Sequence, residues 1–170
     1  LTRTFDSAIE NLWMAYQPII SWRRQELFGF EALVRTDEAA VPNPGVFLAA
    51  AEELRCLDAL GRAIRARVAA TLAKNPANTL AFVNLHPLDL ADESLYSPEA
   101  PLSPFASRVV LEITERASLE HIVDLRPRVT RLRALGFRIA IDDLGAGYAG
   151  LTAIAQLDPE IVKVDMALVR

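Results

Sequence analysis

The chain has 170 residues, of which 52% are hydrophobic, and it carries a formal net charge of −4 at pH 7. This length supports one domain with its own core, and the acidic balance argues against a DNA or RNA polymer as partner, because non-specific nucleic-acid binders are basic. The single cysteine, Cys56, excludes an internal disulfide and favours a reducing compartment, so we expect a cytoplasmic domain, whether or not its parent protein is anchored to a membrane.

The apolar segments of the chain are short. The longest uninterrupted one, residues 46–51, cannot cross a bilayer, so we expect no membrane contact by this domain. In the first half of the chain the pattern predicts a lead-in helix, two strands and two further helices, with bounds at 5–13, 14–20, 27–35, 46–53 and 57–74. Asn43 and Pro44 are the residue types preferred as the cap and the first residue of a helix.

The helix predicted over residues 57–74 is amphipathic, as expected of a crossover between parallel strands. Its apolar stripe comprises Leu60, Ile64, Val68 and Leu72. Its arginines are expected largely on the remaining, polar faces; they are Arg62, Arg65 and Arg67.

The second half of the chain continues the alternation. Strands are predicted at 80–85, 109–115, 139–141 and 161–165, and helices at about 118–135 and 151–157. Ser118 is the expected cap of the first of these helices and Pro127 is expected to interrupt it, whereas three prolines make residues 92–107 irregular or short-helical. Strands that alternate with helices pair in parallel, which leaves an open α/β sheet or a (β/α) barrel as the fold class.

One polar residue or pair lies late in each of five apolar segments. These residues are Glu31, Asn84, Glu112, Asp142 with Asp143, and Lys163 with Asp165. The carboxyl ends of parallel barrel strands converge on one mouth, so we expect these side chains to meet there. Their oxygens suit Mg²⁺, Mn²⁺ or Ca²⁺, and Zn²⁺ is less favoured because the sequence has no His/Cys cluster. The alternative is a set of unrelated surface carboxylates.

Two residues of this set need a separate argument. Side-chain alternation sends Asp142 and Asp143 to opposite faces, so the backbone must turn at Asp143 if both are to face the site. Lys163 is one of only two lysines, whereas arginine occurs 16 times. An ammonium is a compact charge that can orient a water, which together with a carboxylate-rich site predicts metal-assisted hydrolysis. The alternative role for Lys163 is a salt bridge to Asp165 or another carboxylate.

The motifs around these residues resemble those of the EAL domain family, the phosphodiesterase domains specific for cyclic di-GMP. They are YQPI at Tyr16–Ile19, GFEALVR at Gly29–Arg35, NLHP at Asn84–Pro87, LEITE at Leu111–Glu115, IDDLGAGYAGL at Ile141–Leu151 and VKVD at Val162–Asp165. They occur in family order and span nearly the whole chain, and their combination is far more specific than any one of them.

The resemblance implies a (β/α)8 TIM-like barrel whose first strand runs antiparallel to the others. It implies two divalent cations, Mg²⁺ or Mn²⁺, held by Glu31, Asn84, Glu112, Asp142 and Asp143, with Asp165 also at the metal site. Lys163 matches the lysine that orients the attacking water, and Glu31 is expected to be catalytic as well as a metal ligand. Gln17 and Arg35 match substrate contacts, Arg35 to a phosphate. Glu115 matches the glutamate that stabilises the glycine-rich loop containing Gly145 and Gly147, a loop linked in the family to dimerisation.

The implied reaction opens one phosphodiester of cyclic di-GMP to give linear pGpG in bacterial second-messenger signalling. The implied partners are cyclic di-GMP, a second copy of the chain in a homodimer, and fused sensory or GGDEF-type domains. The rival hypothesis is a catalytically inactive EAL-type domain that serves as a cyclic di-GMP receptor or a protein-interaction scaffold.

Several positions depart from the family pattern. The loop has Leu144, Ala146 and Ala149-Gly150 where phenylalanine, threonine and a serine pair are usual, and His86 replaces the more usual serine. His86 is expected to be a loop residue rather than a metal ligand. A complete barrel of this type takes about 250 residues, so we expect residues 1–170 to be a single EAL-type domain that lacks its last strand–helix units and belongs to a longer multidomain protein.

Overall fold

The computed structural model describes residues 2–75, 79–114, 119, 122–145 and 150–168. Its α-helices are α1 (Thr2–Glu10), α2 (Pro44–Glu53), α3 (Leu57–Lys74), α4 (Leu125–Leu135) and α5 (Gly150–Leu157). Its strands are β1 (Leu12–Ser21), β2 (Glu26–Thr36), β3 (Leu80–Asn84), β4 (Val109–Thr114), β5 (Arg138–Leu144) and β6 (Ile161–Val164). Short 3-10 helices span Pro87–Ala91, Glu93–Tyr96, Ser103–Arg108 and Met166–Leu168.

The six strands form one sheet in the order of the sequence, β1 to β6. β1 pairs with β2 in antiparallel fashion, and each later strand pairs in parallel with the strand before it. The parallel pairing and the antiparallel first strand confirm the predicted incomplete barrel, because a (β/α)8 barrel needs two more strands than the described residues supply.

The two faces of the sheet have different neighbours. On the outer face, Val83, Leu111 and Ile139 are fully or almost fully buried in a core that includes residues of α3, α4 and α5. On the inner face a smaller buried cluster comprises Phe82, Val110 and Ala140. Successive residues of a strand point to opposite faces, so Glu112, two positions after Val110, also points inward, above this cluster. The fold therefore places the polar residues of the strand ends on the inner face.

The bounds of α2, α3 and α5 lie within two residues of the predicted ones, whereas α1 begins and ends three residues earlier than predicted, so that Leu12 and Trp13 belong to β1. Asn43 caps α2, since its Oδ1 accepts a hydrogen bond from Val46 N at 3.0 Å. α4 begins only at Leu125, and Ser118 lies outside the described residues. Pro127 occupies the first turn of α4, where a missing N–H costs nothing, so the predicted interruption there was wrong.

One prediction for α3 was also wrong. Arg65 was expected on a polar face, yet it is only 6% exposed. Its guanidinium donates hydrogen bonds to Asp89 Oδ1 at 2.8 Å and to Asp92 Oδ2 at 2.9 Å. Both aspartates lie in the connection between β3 and β4, so ion pairing with the connection, rather than solvation, determines where Arg65 lies.

No helix in the described part of the chain combines the length and the apolar character that a bilayer-spanning segment needs.

Candidate metal centre

Three carboxylates meet on the inner face of the sheet. One oxygen each of Glu31, Glu112 and Asp142 lies within 4.8 Å of the other two. The residues belong to β2, β4 and β5, and the strand register brings them together, because Glu31 lies opposite Phe82 and Asp142 lies opposite Thr114. The prediction that carboxylates distant in sequence converge at one site is therefore confirmed for these three.

Lys163 of β6 supplies a positive charge to this carboxylate cluster. Its Nζ lies 3.1 Å from Glu31 Oε2, 2.8 Å from Glu112 Oε1 and 3.2 Å from Asp142 Oδ1. Burial alone would lower the pKa of the ammonium, but the three carboxylates outweigh burial and raise it above its ordinary value. Lys163 is therefore charged at neutral pH, and its ion pairs are with the cluster rather than with Asp165.

Glu112 is the least solvated member of the cluster. Its side chain is fully buried, and neither carboxylate oxygen receives a hydrogen bond from a described residue. Lys163 is close enough for an ion pair but lies outside hydrogen-bonding geometry. Burial raises the pKa of Glu112 to about 7; Lys163 opposes this rise, and the charges of Glu31 and Asp142 add to it.

These observations test whether the cluster fits a divalent cation. When all three carboxylates are ionised, the one ammonium leaves two negative charges unbalanced within the cluster. Buried acceptors without donors are rare because they are costly. A hard divalent cation would satisfy both the charge and the oxygens, and an all-oxygen ligand set is the kind that Mg²⁺, Mn²⁺ and Ca²⁺ prefer.

Asn84 contributes an amide to the same place. It is the last residue of β3 and pairs in register with Glu112. Its Nδ2 donates a hydrogen bond to Glu31 Oε1 at 3.2 Å. The structure thus brings Asn84, Glu31, Glu112, Asp142 and Lys163 together, as the sequence predicted.

The two remaining predicted ligands lie outside the three-carboxylate cluster. Asp143 has a left-handed backbone with φ of 57°, and the pairing of β5 with β6 shifts by one residue between Ile141 and Leu144. This bulge confirms that the backbone departs from regular alternation at Asp143. Asp165 Oδ1 accepts a hydrogen bond from Ala167 N at 2.7 Å and so caps the turn after β6. Metal binding by Asp143 and Asp165 stays a prediction.

Of the two predicted substrate contacts, Gln17 lies beside a residue of the cluster, whereas Arg35 shares a cavity with Asn84. Gln17 is exposed and lies opposite Glu31 in the antiparallel pair of β1 and β2. Arg35, whose Nη1 donates to Val34 O at 2.8 Å, lines a cavity of about 230 Å³ together with Asn84 and His86. Their roles toward a substrate stay predictions.

The structure tests the prediction for His86 and describes only part of the glycine-rich loop. His86 Nδ1 accepts a hydrogen bond from Leu88 N, so this residue caps a 3-10 helix, in agreement with its expected loop role. Gly145 has a φ of 100°, a conformation that favours glycine, and a Cβ there would collide with Leu168. Glu115 and Gly147, predicted to stabilise the loop, lie outside the described residues.

Comparison with known proteins identifies the family. The EAL domain family model matches residues 2–170. The chain belongs to the EAL domain family. An uncharacterized signaling protein of Caulobacter vibrioides is 34% identical over 95% of this chain and 21% of its own length. The cyclic di-GMP phosphodiesterase PdeR of Escherichia coli is 29% identical over 96% of this chain and 26% of its own length.

Solved EAL structures share the fold. The complex of Klebsiella pneumoniae BlrP1 with manganese and cyclic di-GMP matches with a TM-score of 0.76 and 29% identity, over 94% of this chain and 42% of that chain. This EAL chain spans only about a fifth to a quarter of the length of the two curated relatives.

Proposed function

We propose that this EAL domain hydrolyses cyclic di-GMP to linear pGpG with the help of two divalent cations, Mg²⁺ or Mn²⁺. The single observation that carries this proposal is the convergence of Glu31, Glu112 and Asp142 around the Lys163 ammonium. The relative PdeR, a cyclic di-GMP phosphodiesterase by name, and the BlrP1 complex with manganese and cyclic di-GMP support it.

The proposed ligands are oxygen donors of the inner face. The carboxylates of the cluster and the Asn84 amide already lie together, and Asp143 and Asp165 are the further ligands that the family motif suggests. Bound cations would polarise a phosphate oxygen and lower the pKa of the attacking water.

The residues of this chain would then orient the reactants. Lys163 is held by three carboxylates and keeps its positive charge, so it can orient a water or stabilise the negative charge that develops on the phosphate. Arg35 is proposed to bind a phosphate through its forked guanidinium. Gln17, exposed opposite Glu31, is proposed to contact the substrate from the neighbouring strand.

The rival function is a receptor that binds cyclic di-GMP without hydrolysing it, or a scaffold. The observation that favours this rival is the departure of the loop after Asp143 from the family pattern, at Leu144, Ala146 and Ala149-Gly150. The assembly partners that the family implies, a second copy of the chain and fused sensory or GGDEF-type domains, stay proposals, as does the cytoplasmic location.

Product analysis distinguishes these functions. The chain would be incubated with cyclic di-GMP and Mn²⁺ or Mg²⁺, and the products would be resolved by chromatography. Formation of pGpG supports the phosphodiesterase. Tight binding without pGpG supports the receptor, and the absence of both binding and turnover supports a scaffold.

Glu31→Ala should abolish turnover while the fold is retained, because this change removes a proposed ligand and no core packing. Full activity of that variant would refute the role of Glu31.

A further inference from the structure

A buried ion-pair network lies directly behind the strand end that carries Asn84. Arg65 of α3 donates from Nη1 to Asp89 Oδ1 at 2.8 Å, and the side chains of the two residues are 8% and 4% exposed. The other oxygen, Asp89 Oδ2, accepts a hydrogen bond from the backbone N–H of His86 at 3.0 Å. A single carboxylate therefore connects helix α3 to the backbone two residues after Asn84.

The same turn is fixed from the neighbouring strand. Leu85 N donates to the backbone carbonyl of Glu112 at 2.8 Å, immediately after Asn84 pairs with Glu112. The backbone that follows Asn84 is thus held on one side by β4 and on the other by Asp89. Two fixed points one residue apart restrict where the Asn84 side chain can lie.

Space for this carboxylate is provided by a glycine inside α3. A Cβ on Gly61 would collide with the carboxylate of Asp89. Glycine in a helix interior is less favourable than alanine, so α3 tolerates a destabilising residue at the position where the charged group approaches it.

Stability alone is a weak reason for such a network. Replacing a buried ion pair by apolar residues of similar volume is often neutral or stabilising. The distinctive property of the Arg65–Asp89 pair is its geometry, since each oxygen of Asp89 has its own donor from a different element.

We infer that Asp89, whose buried charge Arg65 neutralises, is a positioning residue of the candidate metal centre and holds Asn84 in place through the backbone N–H of His86. This inference rests on the proposed function, because it assigns Asn84 to the metal centre. It adds a residue that does not touch the cluster itself and that lies on the connection after β3 rather than on a strand end.

The test is a pair of double variants of the chain, with Mn²⁺ alone as the probe. Arg65→Met with Asp89→Leu replaces the ion pair by apolar side chains and removes the cap on His86 N–H. Arg65→Met with Asp89→Asn keeps an oxygen for that N–H. We expect the first variant to bind Mn²⁺ about tenfold more weakly, at the lower end of the about 10–100-fold loss seen when supporting residues of metal ligands are removed. The second should stay within about threefold of the wild type.

The matched control is Arg133→Met, which breaks the ion pair with Glu160 near the amino-terminal ends of β5 and β6. It should lower the thermal unfolding temperature without changing Mn²⁺ affinity. Unchanged affinity in the Asp89→Leu double variant would overturn the inference, and so would equal losses in both double variants.

A readout independent of metal separates this inference from the proposed function. The side-chain amide signals of Asn84 in the NMR spectrum of the metal-free chain should shift in the Asp89→Leu double variant and stay in place in Arg133→Met. If the wild type binds no Mn²⁺, the proposed function fails, and the Asn84 signals still decide the inference. If the Asp89→Leu variant does not fold, Gly61→Ala decides it, because the added Cβ collides with the Asp89 carboxylate and displaces it. Shifted Asn84 signals in that variant support positioning through the cap, and unshifted signals contradict it.

Discussion

The Lys163 ammonium lies 2.8 Å from a carboxylate oxygen of Glu112, although β5 separates the strands that carry the two residues. The contact crosses the inner face of the sheet, where Glu31 and Asp142 reach the same ammonium. Charged side chains of four strands, β2, β4, β5 and β6, therefore meet at this point. Their effects on stability and on metal binding can be measured without a substrate.

Removal of the Lys163 charge should destabilise the metal-free chain. In Lys163→Met three carboxylates face one another without a cation, and loss of one partner from a buried charge cluster costs up to about 3–5 kcal/mol. Because Lys163 is 26% exposed, we expect about 1–3 kcal/mol. Urea unfolding measures this change. Lys74→Met is the matched control, since Lys74 is exposed at the end of α3, and it should leave stability within about 0.5 kcal/mol. Equal effects of the two changes would contradict the prediction.

Asp142 and Asp165 should differ as metal ligands. Asp142 belongs to the three-carboxylate cluster, whereas the Asp165 carboxylate caps the turn after β6. We expect Asp142→Asn to weaken Mn²⁺ binding at least about tenfold, and Asp165→Asn, which keeps a capping oxygen, to weaken it by a smaller factor. Paramagnetic resonance of free Mn²⁺ measures both. A greater loss in Asp165→Asn would reverse the ranking that the geometry gives.

Substitution of Gly145 should be costly chiefly because of its backbone, since the atoms in its way belong to the exposed side chain of Leu168. Gly145→Ala places a side chain at a φ of 100° and against Leu168. We expect a loss of about 1–3 kcal/mol in the free energy of unfolding. Leu168→Ala in the same chain should recover only the part that is due to the collision, which a double-mutant cycle isolates. Complete recovery would mean that the backbone conformation contributes nothing.

Asp92 should make stability depend on acid pH. The hydrogen bonds from Arg62 hold the pKa of Asp92 well below its usual range, against the opposing effect of burial. A carboxyl whose folded pKa is depressed stabilises the fold above its unfolded pKa of about 3.9, and this contribution is lost as pH falls through the folded pKa. Asp92→Asn should therefore cost about 1 kcal/mol at pH 6, since Arg62 is half exposed, and progressively less below pH 4. Urea unfolding at several pH values checks this, and a constant difference down to pH 2 would contradict it.

The sequence predicts the carboxylates of the cluster, but it does not predict the buried ion pair of Arg65 and Asp89 behind Asn84. Glu31, Glu112 and Asp142 could be found because a carboxylate inside an apolar strand is costly to bury unless it meets a cation. The sequence does not identify the partner of Lys163. Strand order and register decide which carboxylates an ammonium reaches, and a local sequence pattern determines neither.

Arg65 was misassigned for a related reason. Helical periodicity places it away from the apolar stripe, but a connection distant in sequence covers that face and carries Asp89 and Asp92. Gly61 was the available signal, since a glycine inside a long helix indicates that another group approaches closely. Periodicity detects which residues avoid water on average, and it cannot detect a buried polar pair.

The close approach of Asp89 to Gly61 also constrains sequence variation. A relative that carries alanine or any larger residue at the position of Gly61 has no room for a carboxylate placed as that of Asp89 is placed here. The two positions should therefore change together among homologues. In chains without the glycine, a group other than the carboxylate should accept the hydrogen bond from the backbone N–H at the position of His86.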